Sequence, residues 1–179
     1  KRQTLFFSAT MPPEIRRLAD RFLTDPVEIA VAPPASPAET VDQSVVILAQ
    51  ADKREGLRHL LRTQPVKNAL VFCNRKRDVD IVHRSLVKHG FNAAALHGDM
   101  SQSHRMQTLD RFKTNEITIL VCSDVAARGL DIQGLSHVFL FDVPTHSEDY
   151  VHRIGRTGRA GMPGRAFTLA TPEDGGLLS

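Results

Sequence analysis

The residues best suited to chemistry lie in one string near the end of the chain, His152–Arg159 (HRIGRTGR). Three arginines recur in it at a spacing of three residues, and each keeps its charge and offers a planar fork of donors that suits phosphate oxygens. The two glycines allow a backbone to approach a ligand closely. The string therefore predicts a phosphate site, and the alternative is a solvated basic helix end. Thr145 and Glu148 are predicted to cap the helix that carries it.

The sequence predicts that this string is positioned by apolar strands that alternate with amphipathic helices. Strands are predicted at 43–50, 68–73, 93–96, 117–122, 137–141 and 165–170. Strands that are apolar throughout indicate a parallel sheet with helices on both faces, so the fold class is α/β. In such sheets ligands bind beyond the carboxyl ends of the strands.

Polar clusters follow these strands directly, where a site is expected. They are Asn74 and Arg75, His97–Asp99, Ser123–Asp124 with Arg128–Asp131, and Asp142–Pro144, with Gln102 and Arg105 in a helix capped by Ser101. Taken singly, each has an ordinary explanation as a helix cap or a turn residue. Their common position favours one site.

Residues 1–40 have a different sequence pattern from the rest of the chain. Residues 3–7 and 27–31 are predicted as strands on either side of a helix that begins at Pro12-Pro13. Residues 32–40 are rich in proline and small residues, which favours an extended linker. Because residues 1–31 are too few for a domain, we expect them to end a preceding domain, and residues 41–179 to form the main one. The chain is thus expected to be a piece of a longer protein.

Composition narrows the function classes. The chain has 179 residues, 41% of them hydrophobic, and a net charge of +3 that is compatible with nucleic acid. Cys73 and Cys122 each close an apolar run and are predicted to be buried, reduced thiols. They form no C-x-x-C pair, so no metal site is expected. No apolar run approaches the ~18 residues of a membrane helix. We expect a cytoplasmic protein that does not bind a membrane.

Jointly, these motifs resemble those of the DEAD-box RNA helicases of superfamily 2, in the order of that family. The matching segments are Ser8–Thr10 (motif III), Phe72–Asn74 (IV), Gln102–Arg105 (IVa), Ser123–Ile132 (V) and His152–Arg159 (VI). The resemblance covers essentially the whole chain. Its pattern is most similar to bacterial members, with the RhlE type as the subtype suggested. It implies a second RecA-like domain preceded by the end of the first.

The resemblance also implies a role for each matching residue. Arg156 and Arg159 would be catalytic arginine fingers at the γ-phosphate of ATP, and Gly129 and Asp131 would also bind ATP, Asp131 at the ribose. The RNA backbone would be held, without reading of bases, by Asn74, Gln102, Arg105, Ser123 and Arg128. Coupling between the two domains would involve Ser8, Thr10, His152 and Arg153. Motif V more often begins with Thr than with Ser123, but both offer a hydroxyl group.

Two elements of an ATP site are missing from the sequence. It contains no Gly-x-x-x-x-Gly-Lys-[Ser/Thr] loop and no Asp-Glu-Ala-Asp, so Mg²⁺ is expected to be held mainly by the first domain. The predicted function is the C-terminal half of an ATP-dependent RNA helicase that unwinds duplexes or remodels RNA–protein complexes, inactive alone. One alternative is a non-catalytic RNA-binding or regulatory module, against which the two fingers argue. Another is a DNA helicase, whose relatives commonly begin motif VI with Gln where this chain has His152.

Overall fold

The structure, a computed structural model, describes residues 3–8, 11–30, 40–127, 132, 134–158 and 163–177. The chain divides into two compact units, residues 1–36 and 37–179. Residues 32–39 of the predicted linker lie outside the described residues. That the first unit ends a preceding domain stays a prediction.

The first unit contains one helix, α1 (Pro13–Phe22), in the part of it that the structure describes. Pro12 and Pro13 start the helix as predicted, because proline fixes a helical φ and an N–H at this position has no partner to lose. Arg16 Nη1 and Nη2 donate to the two carboxylate oxygens of Glu28 at 3.1 and 3.2 Å. The strands predicted at 3–7 and 27–31 are wrong for the residues described, because neither residues 3–7 nor residues 27–30 form a strand.

The second unit is built on a six-stranded sheet with the order β1-β6-β5-β2-β4-β3, and every pair of neighbours is parallel. The strands are β1 (Val41–Ile47), β2 (Ala69–Phe72), β3 (Ala93–Leu96), β4 (Ile119–Cys122), β5 (His137–Leu140) and β6 (Gly164–Ala170). All six coincide with predicted strands to within a few residues. The α/β fold class with a parallel sheet is confirmed.

Helices cover both faces of the sheet. They are α2 (Lys53–Thr63), α3 (Lys76–Lys88), α4 (Gln102–Lys113), α5 (Asp124–Ala127) and α6 (Ser147–Ile154), followed by a 3₁₀ helix at Pro172–Leu177. Successive residues of β2 point to opposite faces, so Leu70 packs with α4, α5 and α6, whereas Val71 packs with α2 and α3. The sheet thus separates an α2–α3 face from an α4–α6 face.

Only some of the helix caps that the sequence suggests are present in the structure. The Ser101 hydroxyl caps α4 by accepting from the backbone N–H of His104 at 3.3 Å, as predicted. The capping box of Thr145 and Glu148 is wrong, because α6 begins one residue later, with His146 as N-cap and no side-chain cap. The Asp52 side chain likewise makes no capping hydrogen bond at the start of α2.

One buried histidine marks the α2–α3 face. His137 is 2% exposed and its ring stacks against those of Phe139 and Phe167, at centroid distances of 5.9 and 6.3 Å. Its Nδ1 lies 3.0 Å from the Ser136 hydroxyl, and among the described residues its Nε2 has no hydrogen-bond partner. Burial lowers the pKa of His137, and the charge of Arg165 lowers it further.

Candidate functional site

Arg153, in the last turn of α6, is the centre of a buried polar network at the carboxyl ends of the strands. It is only 2% exposed. Its Nε and Nη2 donate to the two carboxylate oxygens of Asp124 at 2.8 and 2.6 Å. Nη2 also donates to the side-chain oxygen of Asn74 at 2.7 Å, and Nη1 to the backbone oxygen of Asp142 at 2.9 Å. The guanidinium lies 5.5 Å from the ring centre of Phe72, so its charge is satisfied on every side.

Asp142 extends this network to α2. One carboxylate oxygen accepts from the backbone N–H of Asn74 at 3.0 Å, and the other lies 3.4 Å from Nζ of Lys53. Lys53 is 2% exposed, and its ammonium also lies over the ring of Phe141 at 5.1 Å. The network therefore ties together the ends of β2 and β5 and the starts of α2 and α5.

Part of this network was missed from the sequence. Lys53 recurs with Leu57 and Leu61 on one face of α2, and all three are buried. A cation on an apolar helical stripe is the signal that could have found it, because such a residue is rarely buried without a partner. Asp124 was predicted to belong to the polar cluster after β4, with helix capping as the ordinary alternative. Its partnership with Arg153 depends on the strand order, which the sequence does not display.

Two residues of the string His152–Arg159, Thr157 and Gly158, lie near the amino ends of β1, β5 and β6. Thr157 is fully buried, bridges to Leu135 in the segment before β5, and donates its hydroxyl hydrogen to the Leu135 backbone oxygen. Gly158 has a φ of +69°, and the hydroxyl of Thr40 donates to its backbone oxygen. A Cβ at Gly158 would collide with Val41, so glycine is required there by both space and backbone.

Arg156 lies between these two anchors. It is half-buried, and it takes part in interactions of its own. Its backbone N–H donates to the Arg153 oxygen at 3.3 Å, and its oxygen accepts from the Leu135 N–H at 3.2 Å. The fixed positions of Arg153 and Thr157 thus determine where the backbone of Arg156 lies.

Two buried thiols lie at the carboxyl ends of neighbouring strands, and neither is in a disulfide. Burial raises the pKa of the Cys122 thiol, and the Asp124 carboxylate raises it further; the charges of Arg153 and Arg156 oppose this. Burial is also the main cause of the raised pKa of the Cys73 thiol. Both cysteines are therefore protonated, packed side chains, as the sequence predicted. Among the described residues, no group of three or more His, Cys, Asp or Glu side chains could hold a metal ion.

A second group of residues, for which contacts with the RNA backbone are predicted, also lies at the carboxyl ends of the strands, near α4 and α5. Gln102 is exposed at the start of α4, and Ser123 is half-buried directly after β4. Arg105 Nη2 donates to the backbone oxygen of Ala126 at 3.3 Å, which joins α4 to α5. These three residues come from adjacent strand ends, β3 and β4.

Asn74 and Arg153, for which RNA contact and interdomain coupling are expected, are joined to each other within the unit. Both ends of the Asn74 amide are used within the unit, since its oxygen accepts from Arg153 and its nitrogen donates to the Val143 oxygen at 2.9 Å. His152 is half-buried in α6, and Ser8 is exposed in the first unit. Thr10, Arg128, Gly129, Asp131 and Arg159 lie outside the described residues.

Comparison with known proteins decides the family. Residues 52–161 match the model of the helicase conserved C-terminal domain, which is more than half of the chain. The chain belongs to this helicase family. Among the described residues, no helix combines the length and the apolar character needed to cross a membrane.

Relatives of this helicase domain are named as DEAD-box proteins. The chain is 45% identical over 170 residues to the DEAD-box ATP-dependent RNA helicase RhpA of Helicobacter pylori, which covers 95% of this chain and 35% of the relative. It is 46% identical over 176 residues to CshA of Bacillus subtilis, and the match covers 98% of this chain and 36% of the relative. The chain thus spans about a third of the length of these relatives.

A solved structure gives the same family. The DEAD box protein from the hyperthermophile Methanococcus jannaschii is 39% identical, with a TM-score of 0.74 over 96% of this chain and 46% of that one. The predicted resemblance to DEAD-box proteins and the RecA-like fold class are confirmed. The RhlE subtype stays a prediction.

Proposed function

We propose that this helicase domain is the C-terminal half of an ATP-dependent RNA helicase that acts in the cytoplasm. It clamps the RNA backbone and supplies arginine fingers for ATP hydrolysis, so that RNA duplexes are unwound or RNA–protein complexes are remodelled. Its partners are RNA, bound with little sequence preference, and an ATP-binding RecA-like domain. That domain holds Mg²⁺ with the ATP phosphates.

The observation that carries this proposal is the way Arg156 is held. Arg153 is fixed by a carboxylate, an amide and a backbone oxygen, and Thr157 is fixed by a backbone oxygen and a β-bridge. An arginine between two such anchors needs little reorganisation before it meets developing negative charge on a phosphoryl group. A solvated basic helix end would need no such anchors.

The mechanism follows from what each residue can do. ATP bound at the partner domain supplies the phosphoryl group that is transferred to water. Arg156, with Arg159, donates hydrogen bonds to the γ-phosphate oxygens and stabilises their charge in the transition state. Gly129 and Asp131 contact the nucleotide, Asp131 at the ribose.

The RNA side of the mechanism uses other residues. Gln102, Arg105, Ser123 and Arg128 hold phosphate and sugar groups, which carry no base code. Asn74, exposed after β2, contacts the RNA backbone beside them, and Arg153, to which it is hydrogen-bonded, takes part in the coupling between the domains. Ser8, Thr10 and His152 transmit the ATP state between the domains.

A chimera tests the proposal, with this chain in place of the matching segment of the Bacillus subtilis relative. Its RNA-stimulated release of phosphate from ATP is expected to fall about 10³–10⁵-fold in Arg156→Ala, since a finger acts mainly in the transition state. Arg156→Lys is expected not to restore the rate, because an ammonium lacks the planar fork.

Arg165→Ala is the matched control, because this exposed guanidinium lies on the α2 side and donates to Gln64 at 2.9 Å. It should leave turnover within about twofold of the parent chimera, since exposed side-chain contacts contribute little. If Arg156→Ala keeps turnover within a few-fold of the parent, the finger assignment is wrong. RNA binding without any RNA-stimulated turnover in the parent chimera would favour the non-catalytic module.

A further inference from the structure

A cleft of about 470 Å³ lies between α2 and α3, on the face of the sheet opposite α4, α5 and α6. We call it the α2–α3 cleft; it is lined by Ala51, Arg54, Glu55 and Arg58 on one side and by residues 81, 84, 85, 88 and 89 on the other. None of the described residues assigned above to ATP or RNA lines it. Its role is therefore separate from that of the proposed catalytic surface.

The α2–α3 cleft is strongly basic. Arg54 and Arg58 lie four residues apart on α2, and Arg84 and Lys88 lie four residues apart on α3. Each helix therefore presents a pair of neighbouring cations to the cleft. Only one carboxylate, that of Glu55, is among the lining residues. The lining residues thus include four cations and one carboxylate, which makes the net charge of the cleft positive.

Within the part of the chain that the structure describes, these four cations form no ion pair. Like charges at a spacing of four residues on a helix repel each other. An anion bound between the two helices would remove this repulsion. The uncompensated charge therefore indicates a negatively charged ligand.

The cleft is also partly fixed in advance. Arg58 Nη1 donates to the Ser85 hydroxyl at 2.9 Å and so joins α2 to α3. Arg84 Nε donates to the backbone oxygen of Asp80 at 3.3 Å. Each guanidinium has five N–H donors, so most remain for a ligand while the side chain is already held.

We propose that the α2–α3 cleft binds an acidic segment of a partner protein. Guanidinium groups pair with carboxylates through two parallel hydrogen bonds, and Ala51 and Ile81 add small apolar contacts between the charges. A single-stranded RNA site combines cations with aromatic rings on which bases stack, whereas the described residues that line this cleft include no Phe, Tyr or Trp and a single imidazole, that of His89. The combination of paired cations with aliphatic contacts therefore fits a peptide.

A labelled peptide in which Glu alternates with Ala tests the proposal on the chain itself. Its binding is followed by fluorescence anisotropy, and the site is mapped from the backbone amide shifts of ¹⁵N-labelled protein. Arg54→Glu with Lys88→Glu is expected to weaken binding about tenfold, because two attractive contacts become repulsive. Both residues are exposed, and no described residue depends on their side chains. The shifted amides should cluster in α2 and α3.

The control is Lys67→Glu with Lys113→Glu, which changes the net charge equally at exposed positions outside the cleft. It should change binding by no more than about twofold, and a peptide with Gln in place of Glu should not bind. Equal weakening by the two double variants would overturn the proposal, since the effect would then be one of net charge. It is also overturned if labelled polyuridine competes with the peptide and loses affinity in the Arg54→Glu, Lys88→Glu protein.

Discussion

Arg153 and Asp124 are joined by two hydrogen bonds, of 2.8 and 2.6 Å, that link the last turn of α6 to the start of α5. The arginine is 2% exposed, and about a quarter of the aspartate side chain is exposed. A guanidinium buried to this degree depends on its partner, because loss of the carboxylate leaves a charge without compensation. The segment that leads to Arg156 is therefore held by a charge pair formed within the unit.

Asp124→Ala is expected to lower the free energy of unfolding by about 3 kcal/mol, since Arg153 is left buried with one partner fewer. Glu116→Ala is the matched control. It removes an ion pair of the same 2.6 Å length, with Arg111, in which both side chains are about half exposed. We expect a loss of about 0–1 kcal/mol there. Urea denaturation measures both values, and equal losses would show that the Arg153 pair adds nothing through its burial.

Gly158→Ala is expected to destabilise the unit by about 3 kcal/mol, through an unfavourable positive φ and a collision with Val41. Gly134→Ala separates the two causes, because Gly134 has nearly the same φ, +70°, but no neighbouring atom within 4 Å of an added Cβ. That variant should lose about 1 kcal/mol, from the backbone alone. Thermal unfolding with known ΔH gives both numbers. A Gly134 loss as large as that of Gly158 would leave no role for the packing of Thr40 and Val41.

Stability should decrease in mild acid because of His137. Burial holds its pKa in the folded protein below the ordinary value of about 6.5, so the unfolded chain takes up a proton first as the pH falls. The stabilisation is present above that ordinary value and is lost as the pH falls below it. His137→Phe, which keeps the ring stack, should flatten this dependence between about pH 5 and pH 8. His59→Gln, at an exposed position, should leave it unchanged; a parent curve that is already flat would contradict the assignment.

RNA binding by the chain alone is expected to be weak and insensitive to sequence. Few cations, chiefly Arg105 and Arg128, are proposed to meet phosphates, so the logarithm of affinity should fall with the logarithm of salt by about 0.7 per phosphate neutralised. Arg128→Ala should reduce this slope and weaken binding. In the chimera, saturating RNA should then restore much of its turnover. Tight binding at high salt, or a strong preference for one sequence, is the result that would contradict this prediction.

The chain alone is expected not to hydrolyse ATP. Its sequence has no P-loop lysine and no Asp-Glu-Ala-Asp, so the charge of the transferred phosphoryl group cannot be neutralised on both sides. Phosphate release with saturating RNA should equal that of the Arg156→Ala chain. Turnover that elutes with the monodisperse protein and disappears in Arg156→Ala would show that a complete site is present.

The sequence predicted the second unit better than the first, for a physical reason. Strands such as Ala69–Phe72 are apolar on both faces, and this alone indicates a buried parallel strand. Residues 3–7 are apolar only from Leu5 to Phe7, and they form no strand among the described residues, so a short apolar run does not by itself specify a strand.

The site followed the same rule. The polar residues that follow the strands could be predicted from their positions in the sequence. The network of Arg153 could not, because its members are separated along the chain and meet only through the strand order. The helix cap at Ser101 could be predicted because its donor lies three residues away. Interactions within one turn can be predicted from a sequence, although the pattern at Thr145 and Glu148 gave a false prediction; contacts across the sheet cannot be predicted in this way.

The pairing of β1 with β6 has a consequence for synthesis on the ribosome. Among the described strands, β1 lies at an edge of the sheet and pairs with β6, the last of the six along the chain. Val45 and Ile47 are therefore without a cross-strand partner until translation reaches residues 164–170, and an unpaired apolar edge favours aggregation. Since pairings between distant parts of a chain also form slowly, the sheet is expected to close only after residues 164–170 have been made. A circular permutant that begins at β6 and continues into β1 through a crossover linker of about a dozen residues or more, which parallel strands require, would bring these two strands together early in translation.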